Sequence, residues 1–160
     1  LAALLAGTGS SSDRASEAKQ GVTVTSHDGT FHAEFPSPPG RDEARETIGG
    51  LDLVVVTYSV GIDDGAVAVS YTDYPDVRDG RAVLDGAASG SASRVNGTIT
   101  SNTTTTFLDL DARDVAMTVA SGSVFERIFL DGNRLYIILA AGAGDRPVAY
   151  DRLVGSFALL

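Results

Sequence analysis

SVFERIFLDGNRLYIILAA, residues 123–141, decides the fold. Two runs rich in Phe, Ile and Leu flank Asp131-Gly132-Asn133, whose Gly allows a tight reversal, so the segment reads as a β-hairpin. Alternation is weak because nearly every position is apolar. That pattern marks a central strand pair covered on both sides.

Working outward, LDLVVVTYSV (51–60) and AVAVSYTDY (66–74) are the next clearest strands. A two-residue turn at Asp63-Asp64 pairs Ile62 with Gly65. This register sets Val54, Val56, Tyr58 and Val60 beside Val67, Val69 and Tyr71 on one face. Thr57, Ser59, Ala68, Ser70 and Thr72 fall on the other, which is expected to be the wetter surface.

Nearer the N-terminus, VTVTS and TFHAEF flank His27-Asp28-Gly29, a second hairpin signal, with Phe31, Ala33 and Phe35 on one face and His32 and Glu34 on the other. Pro36, Pro38 and Pro39 then stop strand pairing. Arg41–Gly50 reads as a loop or an edge strand. Between Asp79 and Val95 apolar and small residues (Val83, Leu84, Ala87, Ala88, Ser91) recur at helical spacing. Gly86 and Gly90 each cost about 1 kcal/mol relative to Ala, so close approach to the sheet is their expected use.

Thr98–Leu108 predicts a Thr-rich strand with Ile99 and Phe107 facing in, and Ala112–Ala120 a further short strand. Near the C-terminus Asp145 can cap a helix with Pro147 in its first turn, burying Ala149, Tyr150, Leu153, Val154 and Phe157. The expected class is α+β: an antiparallel β-sheet of about six or seven strands with packed helices.

Composition narrows the function. The chain has 160 residues and 43% hydrophobic content, enough for one core. A net charge of −9, with Lys19 the single Lys, argues against nucleic acid as a partner and against direct attachment to anionic lipid. With no Cys and only His27 and His32, a zinc site would have to lean on carboxylates.

Chemistry-bearing motifs are weak. There is no G-x-S-x-G and no H-E-x-x-H. Ser26-His27-Asp28 contains triad residue types, but adjacent side chains on a hairpin tip are expected to splay apart, which favours a turn. His32 beside Glu34 reads as an exposed polar face. Gly142-Ala143-Gly144 precedes a helix, yet Pro147 stands where a dinucleotide fingerprint needs its third glycine.

Asp109, Asp111 and Asp114, like Asp73, Asp76 and Asp79, lack the central Gly and distal Glu of a calcium loop. Loop carboxylates explain both sets, with a weak calcium site as the minor alternative. Asn96 and Asn102 begin glycosylation sequons, relevant only in a eukaryotic source. No residue is assigned a catalytic, cofactor-binding or metal-binding role.

The stretch LAALLAGTGSSSD (1–13) concerns address. Leu1–Gly7 resemble the end of a signal h-region, and Gly9–Asp13 a flexible spacer. With Cys in place of Thr8 the run would resemble a bacterial lipobox, so Thr8 marks the lipidation position. Residues 1–20 are expected to be a signal-peptide remnant and tether, and 21–160 the folded domain. A cloning scar or an apolar helix cap is the alternative. The expected location is extracytoplasmic, in the cell envelope, with membrane attachment only through a lipid anchor that Thr8 cannot carry. Abundant Ala, Gly, Asp, Val and Arg suggest a GC-rich bacterial genome.

FHAEFPSPPG, VAVSYTDYP, FERIFLDGNRLYIILAAG and SFALL together resemble a bacterial envelope family with the PsbP-like fold, over about Val22 to Leu160. Phe35-Pro36 match its corner after the first hairpin, Arg134-Leu135-Tyr136 its last hairpin and Ser156-Phe157 its close. Ser37 replaces the family's usual Gly. The resemblance implies a PsbP-like sandwich with both helices packed on the sheet, and relatives that serve as assembly or binding modules.

The leading expectation is therefore a non-enzymatic envelope domain that binds a protein or cell-wall partner. A carrier of a small apolar ligand, held in a pocket between sheet and helix, comes second. An enzyme without a recognisable motif comes third.

Overall fold

The computed structural model describes residues 21–160, so the expectations for Thr8 and the tether lie outside the described residues. In chain order the elements are β1 (Val22–Thr25), β2 (Phe31–Phe35), β3 (Gly40–Ile48), β4 (Leu51–Ile62), β5 (Gly65–Asp73), α1 (Gly80–Arg94), β6 (Thr98–Phe107), β7 (Leu110–Val119), β8 (Gly122–Asp131), β9 (Arg134–Gly142), α2 (Val148–Ser156) and β10 (Ala158–Leu159). Seven strands form one antiparallel sheet in the order β3-β4-β5-β9-β8-β7-β6, and β1-β2-β10 form a second, smaller one. The class is α+β, as expected. The first hairpin, however, leaves the main sheet and builds its own with the C-terminal strand, because Pro36, Pro38 and Pro39 interrupt pairing after β2.

The quoted hairpin is β8 and β9, and β9 is the central strand of the seven. Asp131 pairs with Arg134, so the reversal is the two residues Gly132-Asn133, with Gly132 at φ 57°. The β4–β5 register is the expected one, Ile62 opposite Gly65 and Val56 opposite Tyr71. Of the two readings for Arg41–Gly50 the edge strand holds: it is β3, Gly40–Ile48.

Alternation along these strands splits the sheet into two unlike faces. Even positions of β4 and odd positions of β5 and β8 meet Tyr136, Ile138 and Ala140 in an aromatic core closed by Phe31, Ala33 and Phe35 of β2 and by Tyr150, Leu153 and Phe157. Phe31 lies at its centre, edge-on to Tyr58 at 5.6 Å and stacked on Phe157 at 5.1 Å. The opposite face meets α1, whose Leu84, Ala88 and Ala92 pack on Val115, Met117, Val124, Ile128 and Leu135.

Four local expectations are corrected. Thr57 and Ser59 are half-exposed beside buried Val56 and Tyr58, as expected, but on β5 Ala68, Ser70 and Thr72 are buried, so there the face is not the wetter one. The flank of α1 overhangs Ser70 and Thr72, Thr57 and Ser70 share a 2.8 Å hydrogen bond, and Thr72 donates to the Val54 carbonyl. Gly86 and Gly90 do not approach the sheet: both are exposed, and a Cβ on either would meet open space. The sheet-facing stripe runs instead through Leu84, Ala88, Ser91 and Ala92.

Ile99 and Phe107 point to opposite cores, because the β6–β7 register shifts between Ile99 and Ser101. One extra residue inverts the side on which every later residue lands. Finally, α2 begins after Pro147, which occupies the N-cap, and Asp145 caps nothing. The residue before a proline is driven to extended backbone, so Arg146 cannot be the helical residue that an Asp145 cap requires. By contrast, α1 starts as expected, the Asp79 side chain accepting from the Ala82 N–H.

Candidate functional site

The tip of the first hairpin gathers more polar contacts than its sequence implied. Ser26 Oγ donates to Asp28 Oδ1 at 2.8 Å and accepts from the Thr30 and Phe31 N–H groups. Ser26 and Asp28 thus do not splay apart; Gly29 at φ 70° folds the loop back so that the serine serves as its buried polar centre. His27 is exposed and contributes only its backbone N–H, donated to Tyr58 Oη at 2.7 Å. The three residues are therefore not a triad: the histidine ring is absent from the cluster.

Arg134, first residue of β9, ties this tip to the main sheet. Its guanidinium donates two hydrogen bonds to Asp73 (2.6 and 2.7 Å) and others to Asp28 (2.6 Å) and Thr30 (2.9 Å), and it stacks 4.3 Å from the Tyr71 ring centre. Burial works against the Asp28 carboxylate, but Ser26, Arg134 and Thr30 together hold its pKa well below the usual carboxylate range. Such bidentate, charge-assisted contacts are geometrically specific. The cluster clamps the small sheet to the large one.

Beneath α1 the sheet carries a second polar group of opposite character. Glu126 sits on β8 between Val115 and Leu139 of the neighbouring strands, 1% exposed, and neither carboxylate oxygen closes a hydrogen bond. Burial pushes its pKa from 4.5 up to about 7, against smaller opposing contributions from Ser91 and Arg94 on α1. Sequence reading missed Glu126. Its signal was parity: it shares a face with Val124 and Ile128, inside a run that packs on both sides.

Asp109 and Asp111 are exposed, and most of the other candidates have structural roles. Asp73 pairs with Arg134, Asp76 with Arg78 and Asp114 with Arg127, while Asp79 caps α1. Among the described residues no three His, Asp or Glu side chains are grouped to hold a metal. Asn96, at φ 50°, lies just past the C-cap of α1, and Gly97 donates back to the Ala92 carbonyl. Gly142 permits strand contact, since a Cβ there would overlap the Asp64 carbonyl. His32 is half-buried on the outer side of β2. Among the described residues no helix is long and apolar enough to cross a membrane.

The space between α1 and the sheet is a cavity of about 80 Å³ lined by Ile48, Tyr74, Leu135 and Ile137. Small-molecule sites generally span about 300–1,000 Å³. A larger cleft of about 310 Å³ opens against α2, but Asp114, Arg127, Arg146 and Asp151 line it.

The two edges of the seven-stranded sheet differ. Edge β3, GRDEARETI, alternates Arg with Asp and Glu, a standard defence against pairing with another chain. Edge β6, TITSNTTTTF, carries no charge and no proline over ten residues and is exposed along most of its length. Its bulge lies near the start, leaving Ser101–Phe107 in regular register with β7. Among the described residues no strand pairs with its outer side.

The sequence matches no protein-family model, and no curated protein is significantly similar to it.

Proposed function

We propose that this chain is a non-catalytic binding or assembly domain of the bacterial cell envelope, PsbP-like in type, which docks an extended segment of a partner protein on β6. The observation that carries the reading is the ten-residue uncharged edge. An edge strand offers a row of free N–H and C=O groups, and strand addition gives affinity through the backbone with specificity from alternate side chains. Thr and Ser rows add cross-strand hydrogen bonds.

Charge selects among occupants. Two copies of a chain with net charge −9 repel, whereas a neutral or basic segment is drawn in. The small cavity under α1 favours a protein partner over an apolar ligand. The residues behind the PsbP-like resemblance also converge: Phe35 and Phe157 close the aromatic core, Arg134 clamps the hairpin tip, and Ser156 Oγ accepts the Glu34 N–H. Envelope attachment through a lipid at position 8 belongs to the same proposal.

The test is crosslinked capture from envelope extract by the native chain and by a Thr104→Lys/Thr106→Lys variant. Capture falling at least tenfold in the variant, with its melting temperature unchanged, is the expected result. Equal capture by both chains, or loss only when Arg45 on β3 is changed, would remove β6 as the docking edge. For the anchor, Thr8→Cys behind a full signal peptide should incorporate labelled palmitate; no label would end the lipobox reading.

A further inference from the structure

Glu126 has no role in strand docking, yet it is the least accommodated group among the described residues. A carboxyl 1% exposed with two unpartnered oxygens is tolerable when protonated and costly when ionised, because Ser91 and Arg94 offset only part of its lost hydration. The cover over it is α1. That helix carries exposed Gly86 and Gly90 in its interior and buries only Leu84, Ala88, Ser91 and Ala92 fully, with Val83 and Ala87 half-covered beside them.

We propose that α1 is an acid-held cover: with Glu126 protonated it stays docked, and with Glu126 ionised it opens to let water reach the carboxylate. The groups around Glu126 give it little other relief. On β8 and β9 its neighbours on this face are Val124, Ile128, Ile137 and Leu139, all apolar. On β7 it meets Val115, and the nearby Arg113 is engaged by Asp85 of α1 at 2.8 Å and by the Ala112 carbonyl. From α1 come Ser91 and Arg94, and the Arg94 guanidinium is held by Glu46 of β3. Asp42, Glu46 and Tyr74 border the two small cavities of about 80 and 90 Å³ beside Ser91 and Arg94. Opening along that flank admits water beneath α1.

The sign follows from linkage. Glu126 titrates near its ordinary 4.5 when α1 is open and near 7 when it is closed. Closure therefore takes up a proton between those values, and the open fraction rises with pH until about 7 and then levels. From pH 5 to pH 8 the opening constant should rise on the order of a hundredfold.

Amide hydrogen exchange on the intact chain reads this directly. After correction for intrinsic exchange chemistry, the amides of α1 should lose about a hundredfold in protection from pH 5 to pH 8 and stay less protected than those of β9 throughout, because α1 opens without the sheet whereas β9 exchanges only on global unfolding; α1 protection equal to that of β9 would overturn the cover. Glu126→Gln should hold α1 protection constant within about threefold over the same range, as should Glu126→Leu, which fits the apolar site should the amide fail to fold. PH-independent protection of α1 in the native chain would overturn the proposal. So would an unchanged pH profile in both variants.

Discussion

The two faces of the seven-stranded sheet are built on different principles. One buries large rings against rings, with Phe31, Tyr58, Tyr71, Phe129, Tyr136 and Phe157 in mutual contact, and its charged border is fully partnered through Arg134. The other is covered by a single glycine-bearing helix and holds Glu126 unpartnered. The aromatic face supplies stability, and the helical face supplies responsiveness. Dense packing resists local opening, whereas a thin cover with few apolar contacts opens at lower cost.

The largest way to break this contrast is at the ring cluster. Phe31→Ala should cost about 4 kcal/mol of unfolding free energy, the range for removing a fully buried Phe. A denaturant melt giving less than about 2 kcal/mol would mean that the cluster relaxes and that the two faces are energetically alike.

Next in size is the pH dependence, where the faces act with opposite sign. The raised pKa of Glu126 contributes stability that is full below about 4.5 and lost as pH rises through about 7, worth about 3 kcal/mol. Asp28 is depressed, so its contribution is present above its ordinary 3.8 and lost as pH falls below it. Stability should peak at about pH 4–5. Chemical melts across pH 3–8 should show Glu126→Gln flattening the neutral limb alone.

Arg134→Met tests the other limb. It strands Asp28 and Asp73 and removes the stack on Tyr71, for an expected loss of about 2 kcal/mol, with the acid limb becoming shallower as the Asp28 pKa returns toward its ordinary value. A neutral result would show that the hairpin tip is held by Phe31 without the clamp. Smallest is a gain: Gly86→Ala and Gly90→Ala meet no neighbour, so each should add up to about 1 kcal/mol and raise exchange protection in α1. Destabilisation by either would mean that the open flank is needed by the closed helix.

What the sequence disclosed depended on whether local chemistry sufficed. The β4–β5 register and the start of α1 were legible, because Asp63-Asp64 and Asp79 act on residues beside them in the chain. The second sheet was not, since β10 pairs with β2 more than a hundred residues away through two pairs, Ala158 with His32 and Leu159 with Phe31. Nor was the burial of Ser70 and Thr72, which depends on what α1 overhangs. The uncharged edge was half legible: the absence of charge in Thr98–Phe107 is visible in the letters, but its place at the border of the sheet is a matter of topology. Arg134 was noticed through resemblance, yet its three partners lie in distant segments.

The register shift in β6 makes Thr100 a spacer. Ile99 serves the core under α1 and Phe107 the aromatic core only because one unpaired residue stands between them. Its side chain is exposed and gives a single hydrogen bond, to the Ala116 carbonyl. In descent, this position is constrained in number rather than in kind: many substitutions of Thr100 are tolerable, whereas deleting it would carry Phe107 to the wrong side of the sheet unless a second deletion restored the count.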